Sequence, residues 1–390
     1  MIRKISLITF ISTFPFLIIR AQNPSSMSFQ PMNGGQGGIS SGSQKFLLTG
    51  SASANFTYTN DGNTFAPMSM MLMPLVKITD RLFVINGLKF ENADGSLDLG
   101  LESLDMYYKV SPALSIHMGK FPAPWGNVLD MFGEGFVSRF ATSPIGLSDD
   151  GMAPTDQVGI GILGGLQTGR SKILYNFYLS NGPQLVVDSG ASDGNMSGHM
   201  SYENWMDNNK NKAIGGKIGW LPFSNSGLQL DAFGQVASQT GDAGSLFENV
   251  SSTSYGADLN LYQNINPVRV RLMAQYESTQ TSNAMYSAMQ DTSTFIYTYN
   301  NNGNSWYAAT TIRPVGLENK FLSNIEIGGR YVTYTPPQNA LWGGKPQTHT
   351  TLMLTYWFTW ASQINFGYDI ISQQGSPTMN SFNVRTLFKF

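Results

Sequence analysis

The sequence contains no cysteine among its 390 residues, so neither a disulfide framework nor a thiolate-bound zinc or iron–sulfur site is possible. Charged residues are also scarce, at 12% of the chain, and the formal net charge is only −2. This weak, slightly acidic balance argues against a nucleic-acid-binding surface. Few charges, together with 12% aromatic residues and 41 glycines, favour a long all-β chain over a helical one.

Long apolar runs are absent except at the N-terminus. There a basic start is followed by an apolar stretch over residues 5–19, interrupted by Pro15, which is short for a spanning helix and typical of a secretory signal. Because Ala21 suits the position before cleavage, we interpret residues 1–21 as a signal peptide, with a membrane-anchoring helix as the alternative. Residues 22–44 are rich in Gly, Ser, Pro and Asn and are interpreted as a flexible leader.

No later apolar run approaches the roughly 18 residues that a transmembrane helix needs. An exported chain without such helices is either soluble or a closed β-barrel, because lipid tolerates no open sheet edge. The pattern of the remaining residues decides between these two classes.

From residue 45 onward apolar and polar residues alternate with period two, as in a strand with two different environments. The pattern predicts about 16 strands, each long enough to cross a bilayer at a tilt, for which about 9–11 residues suffice. A change of phase near Glu102 predicts a β-bulge, and Pro74 interrupts the second strand. The predicted strands cover about 45–59, 65–78, 81–92, 95–110, 113–121, 157–166, 170–180, 212–221, 226–238, 253–263, 267–278, 303–313, 323–335, 347–360, 362–373 and 379–390.

The connections between these strands divide into two alternating sets. Tight turns are predicted at 111–113, 167–169, 222–226, 264–267 and 361–362, and long loops at 122–156, 181–211, 239–252, 279–302 and 336–346. Outer-membrane barrels are built in this way, with the turns in the periplasm and the loops outside. Outward aromatic residues beside the turns predict a membrane-interface girdle. They are Tyr108, Trp220, Phe358, Trp360 and Phe390.

The last predicted strand ends on Phe390, with one aromatic face and one polar face. In a barrel, lipid covers the aromatic face and the strand edge pairs with the first strand. A C-terminal Phe on an alternating strand also resembles the signal by which outer-membrane barrel assembly machinery recognises its clients. Over residues 45–390 the sequence therefore predicts a transmembrane antiparallel β-barrel in the bacterial outer membrane.

No catalytic, cofactor or metal site is predicted. The run from Gly159 to Gly164 matches the dinucleotide fingerprint in letters, but a turn and another strand follow it where that fingerprint needs a helix. The three histidines, His117, His199 and His349, are far apart, and their spacing supports no Ser–His pairing. We interpret them as isolated polar residues.

The loop at residues 122–155 is longer than most structureless connections, and loops of this length are usually functional or disordered. It carries several large apolar side chains, too many to remain in water, so we predict that it folds into the barrel mouth and narrows it. A lid folded over the outside is the alternative. The predicted constriction residues are Trp125, Asp130, Glu134, Arg139, Asp149 and Asp150.

Four stretches within residues 118–183 carry a family resemblance: "MGKFPAPWG", "SRFATSPIG", "QVGIGILGG" and "LYNFYLSNGP". They resemble bacterial porins of the phosphate-selective porin O and P type. The resemblance implies a 16-stranded pore, commonly a homotrimer, with the loop after the fifth strand as its constriction. The chain departs from that family's dense ladder of lysine and arginine, since the loop has Arg139 alone against four acidic residues.

The expected function is that of a porin, in which small hydrophilic solutes or ions diffuse passively through a loop-constricted pore. Inward-facing charges of both signs predict weak selectivity rather than a specific site. The basic wall residues expected to oppose the acidic loop are Arg269, Arg271, Arg330 and Arg385. The alternative is a non-conducting barrel that serves as a binding or scaffold component, with the loops at 181–211 and 279–302 as its contact surface.

Overall fold

The computed structural model describes residues 45–65, 67–93, 96–132, 138–147, 152, 154–187, 196–202, 204–223, 227–290, 293–342 and 344–390. The signal peptide and the leader predicted for residues 1–44 lie outside the described residues, and both stay predictions. Among the described residues, no helix has the length and apolar character to cross a membrane.

Sixteen antiparallel strands form one closed barrel, in which each strand pairs with its neighbours in the chain. Every predicted strand lies within three residues of an observed one at both ends, so this part of the prediction is confirmed. The strands are β1 (Phe46–Thr59), β2 (Met68–Lys77), β3 (Leu82–Ala93), β4 (Ser96–Ser111), β5 (Leu114–Pro122), β6 (Asp156–Thr168), β7 (Ser171–Ser180), β8 (Ala213–Leu221), β9 (Leu228–Ala237), β10 (Ser252–Ile265), β11 (Val268–Thr281), β12 (Asn302–Pro314), β13 (Ile325–Thr335), β14 (Gln347–Thr359), β15 (Ser362–Gln373) and β16 (Met379–Lys389).

The barrel closes where β1 pairs with β16, from Ser51 opposite Lys389 onward. Beyond the last strand residue, the Phe390 N–H donates to the Gly50 carbonyl over 3.1 Å and the Gly50 N–H donates to the Phe390 carbonyl over 3.0 Å. A Cβ atom on Gly50 would collide with the Phe390 ring and with the Met71 carbonyl. Glycine at this position therefore lets the aromatic ring lie against the seam, and the predicted closure is confirmed.

The two faces of each strand differ in the way the period-two pattern predicts. On β11, Met273 and Glu277 point inward and are buried, whereas Leu272 and Tyr276 point outward and are 40% and 43% exposed. Such a wide outward apolar surface is unusual for a protein in water. It fits a barrel whose outside contacts lipid.

Two of the irregularities in the first strands lie where the sequence indicates them. The β3–β4 register shifts so that Gly87 pairs with Ser103 and Leu88 with Leu101, which leaves Glu102 as the extra residue of a bulge. This bulge was predicted from the change of phase. Pro74 lies at a gap in the β2–β3 ladder, because proline has no N–H to donate.

One end of the barrel carries most of the long connections and is called the loop end, while the opposite end is called the turn end. The alternation is less strict than predicted. At the loop end β3 and β4 are joined through positions 94–95 alone, and at the turn end residues 315–324 form a longer connection. The prediction that tight turns and long loops alternate is therefore wrong at these two connections, because the β3–β4 ladder continues to the Ala93–Ser96 pair and residues Lys320–Ser323 of the other connection form a helix.

The connections contain a few elements of their own. Helix α1 (Gly126–Phe132) lies in the connection from β5 to β6, and helix α2 (Lys320–Ser323) in that from β12 to β13. Short hairpins occur in two loops at the loop end, one pairing Gln184–Leu185 with Met200–Ser201 and the other pairing Tyr286–Gln290 with Ser293–Tyr297. The β1–β2 connection also contains a short strand (Gly62–Thr64) that extends the pairing of β1.

Candidate functional site

The connection from β5 to β6, residues 123–155, is called the inner loop because its described parts contact inward-facing side chains of β9 to β16. It begins and ends at one point of the wall, since the Ala123 N–H donates to the Thr155 carbonyl over 2.8 Å. Between these two residues, the described parts of the loop lie inside the barrel. The predicted in-folded loop is therefore present, and the alternative of a lid over the outside does not describe it.

The first part of the inner loop is held by Trp125. Its side chain is 1% exposed, its ring lies 4.8 Å from the ring of Phe233 on β9, and its Nε1 donates to Glu277 Oε2 on β11 over 3.1 Å. The next residue, Gly126, has a φ of +57°, and a Cβ there would collide with the Gln275 side chain. Glycine thus allows the start of α1 to press directly against the wall.

Helix α1 makes further contacts with the same wall. The Asn127 side-chain amide donates to the carbonyls of Leu259 and Ala274, over 3.1 Å and 3.2 Å, and its oxygen accepts from the Tyr307 hydroxyl. The Val128 N–H donates to the Gln275 side chain over 3.0 Å. These contacts join the helix to β10, β11 and β12.

The middle part of the loop lies near the turn end, between β13, β14 and β15. The Arg139 carbonyl accepts from the Asn365 side chain over 2.5 Å and from the Thr355 hydroxyl over 3.3 Å. The Arg139 guanidinium is turned toward the wall, with Nε 3.6 Å from Glu326 Oε1 and its centre 5.7 Å above the Trp357 ring.

Two arginines on the inward face of the wall donate hydrogen bonds to this part of the loop. Arg330 donates to the carbonyl and to the hydroxyl of Thr142, over 2.7 Å and 2.9 Å, and lies 4.8 Å from the Phe140 ring centre. Arg385 donates to the Ser138 carbonyl over 2.7 Å. Both arginines are buried, and their guanidinium groups interact with carbonyl groups of the loop backbone.

The return part of the loop is held in the same manner. The Ser305 hydroxyl donates to the Ile145 carbonyl over 2.9 Å, and the Thr279 hydroxyl donates to the Met152 carbonyl over 2.6 Å. Leu147 is fully buried. An apolar cluster fills the space between the loop and the wall, and it consists of Val128, Phe140, Leu147, Met273, Tyr307, Ala309, Val332 and Met353.

The predicted constriction residues differ in their placement from what the sequence indicates. Glu134, Asp149 and Asp150 lie outside the described residues, as does the side chain of Asp130. Trp125 and Arg139 are described, and both point at the wall. The Arg139 guanidinium lies against Glu326 on β13 and Trp357 on β14, and its role at the constriction stays a prediction.

The four predicted wall arginines fall into two pairs. Arg330 and Arg385 lie beneath the loop and contact it directly, so they do not oppose it across water as expected. Arg269 and Arg271 bond instead to the neighbouring strand β10, through Asn264 at 2.9 Å and Asn260 at 3.2 Å. All four project from the inward face of their strands.

Sequence reasoning missed the wall residues that bind the loop. The period-two pattern places four of them on the inward face: Gln275, Glu277, Thr355 and Asn365. Their partners in the loop, however, are separated from them by more than a hundred positions in the sequence. No local pattern indicates such contacts.

His117 is not the isolated residue that its position in the sequence indicates. Its Nδ1 lies 2.9 Å from Asp105 Oδ2, with both side chains buried, and its ring stacks on Tyr107 at 5.3 Å. Tyr107 is the direct register partner of His117 in the β4–β5 hairpin, where the register shifts between Lys109 and Ser111. The tight turn at 112–113 alone would place Tyr108 opposite His117, so the turn does not reveal this pair. Over the part of the chain that the structure describes, no group of three potential metal ligands is found.

Comparison of the fold with solved structures finds bacterial outer-membrane proteins. OmpF of Salmonella typhi, in complex with daunomycin, is 13% identical with a TM-score of 0.57, and the match covers 90% of this chain and 99% of OmpF. Pseudomonas putida OprB is 10% identical with a TM-score of 0.57, covering 88% and 94%. OmpT, an outer membrane protein of Vibrio cholerae in a trimer form, is 11% identical with a TM-score of 0.52, covering 88% and 99%.

No protein-family model matches the chain, and no curated protein matches it in sequence. At identities this low the three structures show a common fold, a barrel that this chain shares with bacterial outer-membrane proteins.

Proposed function

We propose that this protein is an outer-membrane channel through which small hydrophilic solutes or ions diffuse passively, with a width set by the inner loop. The observation that carries the proposal is the path of that loop, whose described parts lie inside the barrel and are hydrogen-bonded to inward-facing side chains of β11 to β16. A loop held so firmly narrows the interior of the barrel.

The outside of the barrel supports a membrane location. Large apolar side chains project outward from the strands, and aromatic residues such as Trp220 and Phe358, at 48% and 60% exposure, lie beside the turn end. Aromatic residues prefer the boundary between lipid and water. With the proposed signal peptide at residues 1–21, this surface suits the bacterial outer membrane, with the turn end in the periplasm and the barrel assembly machinery as an insertion partner.

The proposed mechanism is size exclusion with a weak transverse field. We propose that Asp130, Glu134, Asp149 and Asp150 supply the negative side from the inner loop, and that the wall arginines supply the positive side, with Arg330 and Arg385 directly beneath the loop. Two opposite charges 4 Å apart interact by about 1 kcal/mol in bulk water, and by less when farther apart. Such a field biases ion flow but does not select one anion chemically.

We also propose that the protein is related to phosphate-selective porins of the O and P type, because residues 118–183 resemble them. A homotrimer is part of that proposal. Phosphate selectivity is not part of it, because Arg139, the basic residue of the constriction loop, lies against Glu326. No catalytic role is proposed for the barrel.

Liposome swelling tests the proposal. Vesicles that contain the folded protein should swell in isotonic solutions of small sugars, and the rate should fall steeply as the sugar becomes larger. Vesicles prepared without protein are the control. Absence of swelling with the smallest sugar would favour the non-conducting barrel and contradict the proposed channel.

A further inference from the structure

The connection from β12 to β13, residues 315–324, is a rigid element at the turn end. On one side, the N–H groups of Val315 and Gly316 donate to the Pro267 carbonyl over 2.8 Å and 3.1 Å. On the other side, the Asn324 carbonyl accepts from the Trp357 N–H over 2.9 Å. The element is thus tied to the two neighbouring hairpins.

Helix α2 within this element is fixed at both ends. The Asn319 side-chain oxygen accepts from the N–H groups of Phe321 and Leu322, over 3.0 Å and 3.2 Å. Arg313, at the end of β12, donates to the Ser323 carbonyl over 2.9 Å and to the Asn324 side chain over 3.2 Å. The directions of the helix side chains are therefore determined by the fold.

This fixed helix presents large apolar side chains to its surroundings. Phe321 is 60% exposed and Leu322 is 44% exposed. The Phe321 ring lies 5.4 Å from Tyr356, which in turn lies 5.1 Å from Phe358. Tyr356 and Phe358 are on the outward face of β14, because they alternate with Thr355 and Trp357, which are buried on the inward face.

We propose that helix α2 is a membrane-anchoring element whose Phe321 and Leu322 insert into the lipid leaflet at the turn end. Phe321 continues the outward aromatic row of Tyr356 and Phe358, so the surface that contacts lipid on the strand extends onto the helix. Lys320, exposed on the same helix, supplies the cation that interfacial segments use against lipid phosphate. The inference rests on the proposed membrane location of the barrel.

The absence of cysteine gives a direct test, because a single introduced cysteine takes a nitroxide spin label at one known position. The variants are Phe321→Cys and Leu322→Cys, the second of which leaves Phe321 in place. Glu318→Cys, on the same connection, is the matched control for water, and Leu352→Cys, on the outward face of β14, is the control for lipid. Each full-length labelled protein is inserted into vesicles of phosphatidylethanolamine and phosphatidylglycerol.

Collision rates with oxygen, which concentrates in lipid, and with a water-soluble nickel chelate are then measured. We expect the ratio of oxygen to nickel collisions at positions 321 and 322 to exceed that at 318 several-fold and to approach that at 352. Ratios at 321 and 322 equal to that at 318 would overturn the proposal. Exclusion of both reagents from 321 and 322 would also overturn it, since it would place a protein surface there, such as a second copy of the chain.

The control at position 352 separates this inference from the proposed function. If the label at 352 also behaves as in water, the barrel itself is not in the membrane, and the proposed channel fails together with the anchoring helix. If the label at 352 meets oxygen and those at 321 and 322 do not, the anchoring helix alone is wrong.

Discussion

At the scale of single residues, the wall recognises the backbone of the inner loop more than its side chains. The carbonyls of Ser138, Arg139 and Thr142 all accept hydrogen bonds from wall side chains. Bonds from a charged group are stronger than neutral ones, typically about 1.5–3 kcal/mol each. We therefore expect the two arginines that make them, Arg330 and Arg385, to fix the position of the loop as well as to carry charge.

Replacing both arginines tests these two roles. In the double variant Arg330→Gln and Arg385→Gln, the reversal potential in a salt gradient should move toward cation preference, and the shift should shrink in 1 M salt, where the screening length is about 3 Å. Current noise should also rise, because the loop loses its bonds. The matched variant with lysine at both positions keeps the charge but not the fork geometry. This lysine variant should show increased current noise with an unchanged reversal potential. Current noise in both variants equal to that of the unaltered protein would contradict the proposal that the two arginines hold the inner loop in place.

A second residue-scale prediction concerns acid. Burial lowers the pKa of His199 below its ordinary value of 6.5, and the neutral ring lies edge-on to Trp342 at 4.8 Å. Trp342 in turn donates to the Tyr299 hydroxyl over 3.0 Å. The folded state therefore binds a proton at His199 less readily than the unfolded state does. Above pH 6.5 the ring is neutral in both states, and His199 costs no stability. As the pH falls from 6.5 toward the lowered pKa, His199 increasingly destabilises the folded loops.

Hydrogen exchange of residues 196–202 and 340–342 measures this effect. After correction for the intrinsic rate, exchange should be faster at about pH 5.5 than at about pH 7.5. The His199→Gln variant is the control and should lose the difference. Equal protection of the unaltered protein at both values would show that His199 does not control these loops.

At the scale of elements, the seam between β1 and β16 is the feature on which barrel closure depends. The change Phe390→Asp puts a carboxylate where an aromatic ring lies against Gly50 and faces the membrane boundary. We expect less protein in the outer membrane and a lower temperature of unfolding, because the seam loses packing and lipid contact. Phe390→Tyr, which keeps the ring, is the control. Membrane levels of Phe390→Asp equal to those of the unaltered protein would contradict the role of this residue in assembly.

The elements also show what the sequence can and cannot predict. Strands such as β11 were predictable because period-two alternation is local and reports the two environments of each strand directly. The bulge at Glu102 was predictable for the same reason. The burial of Arg330 and Arg385 was not predictable, because the alternation shows only that a side chain projects inward. It does not show whether that side chain then faces water or an inserted loop. Only the path of the loop, which depends on contacts distant in sequence, makes that distinction.

At the scale of the whole molecule, the inner loop divides the barrel interior. Apolar residues pack between the loop and one side of the wall, among them Leu147, Met273 and Val332, so the loop is a fixed part of the structure. The account predicts that this loop, rather than the barrel, sets the width of the pore. The barrel should remain closed without it, because Ala123 and Thr155 are already hydrogen-bonded at its base.

Single-channel conductance in a planar lipid bilayer tests this claim most directly. The unaltered protein should form discrete channels, and a variant in which a short glycine-containing turn replaces residues 124–154 should give a larger conductance. The matched control shortens the hairpin at the loop end between Ser287 and Ile296, which pair in register, and should leave the conductance unchanged. A barrel without channels, or an equal conductance with and without the inner loop, would contradict the account.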